Sequence, residues 1–101
     1  MKEKINFNQD LLGLGGIPIK VGDTDKNICL RDAISGVMLA PDPSEKDEVI
    51  KLKKFTLCQR FYQEEGEIEI SVDEMKLIKD EVGKKHSSLL VGSIYKMLGL
   101  L

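Results

Sequence analysis

Pro41-Asp42-Pro43 stands near the middle of the chain, and no helix can run through it. Proline lacks a backbone N–H, and its ring clashes with the preceding helical turn. Gly15-Gly16, Gly22, Gly66, Gly83 and Gly99 punctuate the rest of the chain. The sequence therefore encodes a series of short elements, which must bury their apolar residues by packing on one another. At 101 residues it holds one core and one domain, residues 1–101.

Around the proline block the periodicity is helical. Ile28, Ala33, Ile34, Val37, Met38 and Leu39 recur at helix spacing over Ile28 to Ala40. Gly36 lowers helix stability there by about 1 kcal/mol relative to Ala, which points to a close helix contact. After the block, Ser44-Glu45-Lys46-Asp47 resembles a capping box and predicts a second helix to about Glu64. Val49, Leu52, Phe55, Cys58 and Tyr62 form its expected core stripe, widened by Ile50, Leu57 and Phe61, with lysines opposite. Ser71-Val72-Asp73-Glu74 is a complete capping box and starts a third helix that presents Met75, Ile78 and Val82 beside Leu77. Gly83 is placed as its C-cap. A last helix, capped by Ser87 or Ser88, carries Leu90, Val91, Ile94, Met97 and Leu98 and closes at Gly99.

The N-terminal part alternates. Ile5 and Phe7, then Leu11, Leu12 and Leu14, lead into Gly15-Gly16, after which Ile17, Ile19 and Val21 alternate with Pro18 and Lys20. Two apolar runs around a Gly-Gly turn predict a β-hairpin over residues 5–21. Pro18 makes its second strand an edge. Glu67-Ile68-Glu69-Ile70 alternates as one further short strand, suited to pair with the N-terminal region. The expected fold class is α+β: an N-terminal β-hairpin packed on about four α-helices.

Charge and cysteine content narrow the function classes. Fifteen Lys and Arg against seventeen Asp and Glu leave a formal net charge of −2, the wrong balance for a chain built to coat nucleic acid. Cys29 and Cys58 lie amid apolar residues and read as buried free thiols. The start Met1-Lys2-Glu3-Lys4 is charged and no apolar run follows, so no secretory signal is read. The longest charge-free run, His86 to Tyr95, falls far short of the roughly 20 residues of a membrane span. A cytoplasmic protein is expected.

The motifs that suggest chemistry lack their context. Gly13-Leu14-Gly15-Gly16 is followed by extended Ile17-Pro18-Ile19 rather than a helix, and no Walker lysine is present. Asp23, Asp25 and Asn27 start like a calcium loop, but Ile28 and Ile34 occupy the positions that need Gly and Glu. His86 and Ser87 are sequence neighbours at a helix start, a poor arrangement for a base and nucleophile. Two Cys and one His leave a zinc site one ligand short. Ser88-Leu89-Leu90-Val91 is too apolar to read DNA bases, so the third and fourth helices read as an ordinary αα-hairpin. The reading is therefore no enzyme, no metal and no cofactor.

Two surfaces remain. Leu89, Ile94, Met97, Leu98 and Leu101 give the last helix more apolar area than one small-domain face easily buries, and form the candidate for self-association or a protein partner. The alternative is a nucleic-acid contact through Lys51, Lys53, Lys54, Lys84 and Lys85.

Several segments carry a whole-chain resemblance. They are Leu11-Leu12-Gly13-Leu14-Gly15-Gly16-Ile17-Pro18-Ile19, Leu30-Arg31-Asp32-Ala33-Ile34, Phe55-Thr56-Leu57-Cys58-Gln59-Arg60, and Ser71 to Lys79 running into Leu90-Val91-Gly92-Ser93-Ile94. In these the chain resembles a loose group of small proteins encoded by bacteriophages and prophages. The resemblance implies action by binding, to virion parts during assembly or to host machinery, and carries no catalytic residues over.

Overall fold

The computed structural model describes residues 3–64 and 66–100. Its elements are β1 (Glu3–Asn6), α1 (Leu30–Met38), α2 (Glu48–Gln63), β2 (Glu67–Ile70), α3 (Val72–Lys85) and α4 (Ser88–Met97). The fold is α+β, with four helices and a two-stranded antiparallel sheet. β1 pairs with β2 in the register Ile5↔Ile68 and Asn6↔Glu67. The alternation read at Glu67-Ile68-Glu69-Ile70 is real: Ile68 and Ile70 are buried, and the glutamates between them are exposed.

The N-terminal hairpin is not formed. Gly15 and Gly16 do take positive φ, 70° and 73°, and turn the chain as expected. The flanking runs, however, meet only at single bridges such as Leu12↔Pro18. Three segments compete for the same backbone groups. Leu11 N–H donates to the Ile28 carbonyl, Ile28 N–H to the Ile19 carbonyl, and Ile19 N–H to the Leu11 carbonyl, at 2.8, 2.8 and 3.0 Å. This closed triangle satisfies the donors without a ladder. The strand partner of β1 comes from residues 67–70 instead.

Helix boundaries follow local chemistry. Asp47, not Ser44, caps α2, with its carboxylate accepting from Val49 N at 2.9 Å. Ser44 is held back by Asp42, which accepts from both its amide and its hydroxyl. At α3 the capping box is complete: Ser71 Oγ accepts from Glu74 N, and Glu74 Oε1 accepts from Ser71 N. Gly83 does not end α3, which continues to Lys85 and is capped at His86. Gly36 makes no close contact, because a Cβ there would meet nothing within 4 Å.

One core joins all of these elements. Phe7 stacks on Phe61 with ring centroids 4.2 Å apart, and Leu11, Leu30, Ile34, Leu57, Ile78, Val82 and Ile94 surround them. α1 packs on α2 and α3, and α3 packs on α4. Cys58 is buried, Cys29 is half-buried, and both are free thiols. Among the described residues no helix is long and apolar enough to cross a membrane.

Candidate protein-binding face

α2 is apolar on two sides, and of the expected stripe the core takes Cys58 with the widening residues Leu57 and Phe61, leaving the rest outside. Lys54, Leu57, Cys58 and Phe61 are its buried residues. Val49, Leu52, Phe55 and Tyr62, expected inside, are 59, 64, 56 and 50% exposed. Their spacing of three and seven residues still puts them on one face, but that face looks away from the core. Phe55 and Tyr62 are thus surface aromatics, and of the three α2 lysines only Lys54 turns toward the neighbouring helices.

A lysine shares the inward face with the apolar residues. Lys54 Nζ lies 2.5 Å from Glu81 Oε1 on α3, and both side chains are nearly inaccessible, at 5 and 3% exposed. Lys85 Nζ approaches Glu81 Oε2 at 3.0 Å and donates to the Val37 carbonyl at 3.0 Å. Asp42, Glu45 and Lys84 complete the cluster at 3.7–4.0 Å. Burial alone pushes the Glu81 carboxyl up, but hydrogen bonds from Lys54 and Lys85 outweigh it and hold Glu81 below its usual range. Hydrogen bonds from Ser44 and the charges of Lys84 and Lys85 hold Asp42 down as well. The cluster joins α1, α2 and α3.

This cluster removes most of the expected basic patch. Lys54, Lys84 and Lys85 are engaged by Glu81 and Asp42. Lys51, Lys53 and Lys84 stay exposed, Lys51 and Lys53 on opposite edges of the Val49–Tyr62 stripe and Lys84 with only long contacts, 3.7 and 4.0 Å, to Glu81 and Asp42. Of the lysines expected as a nucleic-acid contact, Lys54 is buried and Lys85 half-buried.

The partner face expected on α4 is mostly interior. Ile94 and Leu98 are 0 and 2% exposed, Met97 is half-buried, and Leu89 is 45% exposed. Leu101 lies outside the described residues. The helix is so apolar because it packs against the core while Leu12 N–H reaches the Met97 sulfur at 3.5 Å. His86, the only histidine, is tied by Nε2 to the Ala33 carbonyl at 2.8 Å.

The exposed α2 stripe is rigidly built. Tyr62 donates its hydroxyl to Asp32, and the Arg31 guanidinium lies over its ring, 4.7 Å from the centroid. Burial and the Asp32 contact push the phenol up, so it remains a donor at neutral pH. Arg60 anchors the same end of the helix, donating to Glu64, Glu74 and the Glu69 carbonyl. Beside the stripe runs a groove of about 610 Å³ between α2 and α3, floored by Ile50, Leu57 and Leu77. Val49, Leu52, Lys53 and Thr56 form one bank and Ser71, Asp73 and Glu74 the other. Among the described residues, no group of His, Cys, Asp and Glu is placed to hold a metal ion. Comparison with protein-family models, curated proteins and solved structures finds no match to this chain.

Proposed function

We propose that this chain is a non-enzymatic binding protein whose partner is another protein, held on the outward face of α2. The observation that carries the reading is the exposure of Val49, Leu52, Phe55 and Tyr62 along one face of a well-anchored helix. Contiguous exposed apolar surface on a small domain marks an interaction site, and aromatic side chains fixed in place lose little entropy on binding. Tyr62, clamped between Asp32 and Arg31, is of that kind. The resemblance to phage- and prophage-encoded proteins supplies the setting: virion assembly or capture of a host factor, in the host cytoplasm.

The competing reading, a nucleic-acid-binding regulator, is weakened by the engagement of Lys54 and Lys85 with Glu81. A photo-crosslinking residue in place of Phe55, expressed in bacterial cells, tests the choice. A discrete protein adduct at position 55, with none from the same probe at Asp23, is the expected result. Crosslinks to nucleic acid alone, or equal yields at both positions, would remove the α2 face as the site.

A further inference from the structure

We infer that residues 40–46, which join α1 to α2, form a charge-latched strap. It opens locally while the four helices stay folded, and opens more often as ionic strength rises.

The strap has no apolar or backbone hold on the body. None of its residues belongs to the core or packs against it as a partly buried apolar group. Pro41, Pro43, Ser44 and Lys46 are exposed, and Ala40, Asp42 and Glu45 are half-buried. Its backbone bond, from Glu45 N–H to the Asp42 carbonyl at 3.0 Å, stays inside the segment. Its side-chain bonds are equally local. Asp42 Oδ1 accepts from the Ser44 amide and hydroxyl, and Glu45 Oε1 accepts from the amide of Asp47, one residue beyond. By contrast, the irregular chain before α1 is tied across itself by Leu11, Ile19 and Ile28. A segment with neither core contacts nor bonds to its neighbours opens at low free-energy cost.

What holds the strap is the second oxygen of each carboxylate. Asp42 Oδ2 faces the Lys84 and Lys85 ammonium groups at 4.0 and 3.9 Å, and Glu45 Oε2 faces Lys54 at 3.9 Å. Each of these lysines has a closer partner in Glu81, at 3.7, 3.0 and 2.5 Å respectively. The strap therefore takes the weaker share of the cluster, and Glu81 keeps all three lysines when the strap lifts. Salt acts unequally on the two shares. The screening length falls to about 3 Å at 1 M, shorter than the strap's contacts. The Lys54–Glu81 pair, 5 and 3% exposed, is screened far less.

Opening changes what this side of the molecule presents. Ala40 to Pro43 and Glu45 form one wall of a cavity of about 470 Å³, which Met38, Leu39, Lys51 and Lys54 also line. Lifting the strap removes that wall and leaves two fewer carboxylates beside Lys54, Lys84 and Lys85.

The test is trypsin cleavage after Lys46 in the full chain, which tracks the open population when opening is fast relative to cutting. The double variant Asp42→Asn/Glu45→Gln keeps the oxygens that hold the local turn and removes only the charge. Each rate is divided by that of a free peptide of matching sequence, residues 40–50, so that effects on the protease itself cancel. At low salt the variant is expected to be cut about tenfold faster than the wild type, with an unchanged circular dichroism spectrum. In about 1 M sodium chloride the wild type should approach the variant's rate, and the variant should hardly respond. In both proteins cleavage after Lys46 should precede cleavage at Lys53 and Lys79, inside α2 and α3. It should also stay nearly flat in urea below the unfolding transition, the mark of a local opening. Rates that salt and the double variant leave unchanged would overturn the charge latch. Cleavage after Lys46 that rises with urea as steeply as global unfolding would overturn the strap, since the segment then moves only with the whole fold. A wild-type rate equal to that of the free peptide would overturn it as well, because the strap is then never closed.

Discussion

Lys54 and Glu81 form a buried ion pair at 2.5 Å between α2 and α3, on the same face of α2 as the buried Leu57, Cys58 and Phe61. Burying two charges is favourable only when each finds its partner, and removing one leaves the other stranded. Glu81 also receives Lys85, so the two ends are not equivalent. Glu81→Leu strands two cations and should destabilise the fold by about 3 kcal/mol. Lys54→Met leaves Glu81 with Lys85 and should cost about half as much. Urea unfolding of both variants measures the order, and equal or negligible losses would contradict the central place given to Glu81.

The same pair sets an acid limb. Glu81 is held below its ordinary pKa in the folded protein, so its contribution is present above the unfolded value of 4.5. It is lost as pH falls through the folded value, because the unfolded chain then gains protons more readily. Asp42 is shifted in the same direction and adds to the effect. Stability measured from pH 6 downward should therefore decline below about pH 4.5 in the wild type. The decline should be shallower in Glu81→Gln, whose stability is already lower at pH 6. Parallel pH profiles for the two proteins would show that Glu81 is not the group responsible.

These charges also mark where sequence reading stops. The Ser71–Glu74 box was legible because both of its hydrogen bonds lie within four residues. The strand at residues 67–70 was legible because period two belongs to the strand itself. The orientation of α2 was not: Val49-Leu52-Phe55-Tyr62 and Leu57-Cys58-Phe61 are two apolar faces of one helix, and the partners of the inward one, Phe7 and Glu81 among them, lie far away in sequence. The hairpin reading failed for a related reason. Alternation at Leu11 and Ile19 predicts extended chain, but not that Ile28 will take the backbone groups a second strand would have used. The candidate face was therefore visible as residues and misread as core.

A direct consequence separates stripe from core. Phe55 and Phe61 lie six residues apart on α2, yet Phe55 is 56% exposed and Phe61 only 1%. Phe61→Ala should cost about 3–5 kcal/mol, since it empties the stack on Phe7. Phe55→Ser and Leu52→Ser should stay within about 0.5 kcal/mol of wild type. Denaturant midpoints for the three proteins decide it. A large loss at Phe55 would mean that α2 turns the sequence-predicted stripe inward.

Gly83 offers the sharpest local test. Tyr95 donates its hydroxyl to the Lys79 carbonyl at 2.7 Å and passes so close over α3 that a Cβ on Gly83 would lie 2.7 Å from that hydroxyl. Elsewhere in a helix, Gly→Ala stabilises by about 1 kcal/mol. Here the new methyl must displace a hydrogen-bonded group, so Gly83→Ala in the wild type should be neutral or destabilising. Removing the hydroxyl with Tyr95→Phe leaves the nearest ring atom about 4.0 Å away, an ordinary contact. In that background Gly83→Ala should recover its usual gain of about 1 kcal/mol. The four proteins form a double-mutant cycle, and its coupling energy isolates the contact from helix propensity. A coupling near zero would mean that the hydroxyl yields freely and that the glycine is not there to admit it. A coupling of about 1 kcal/mol or more would establish that the Tyr95 hydroxyl, held by the Lys79 carbonyl, occupies the space a side chain at position 83 would need.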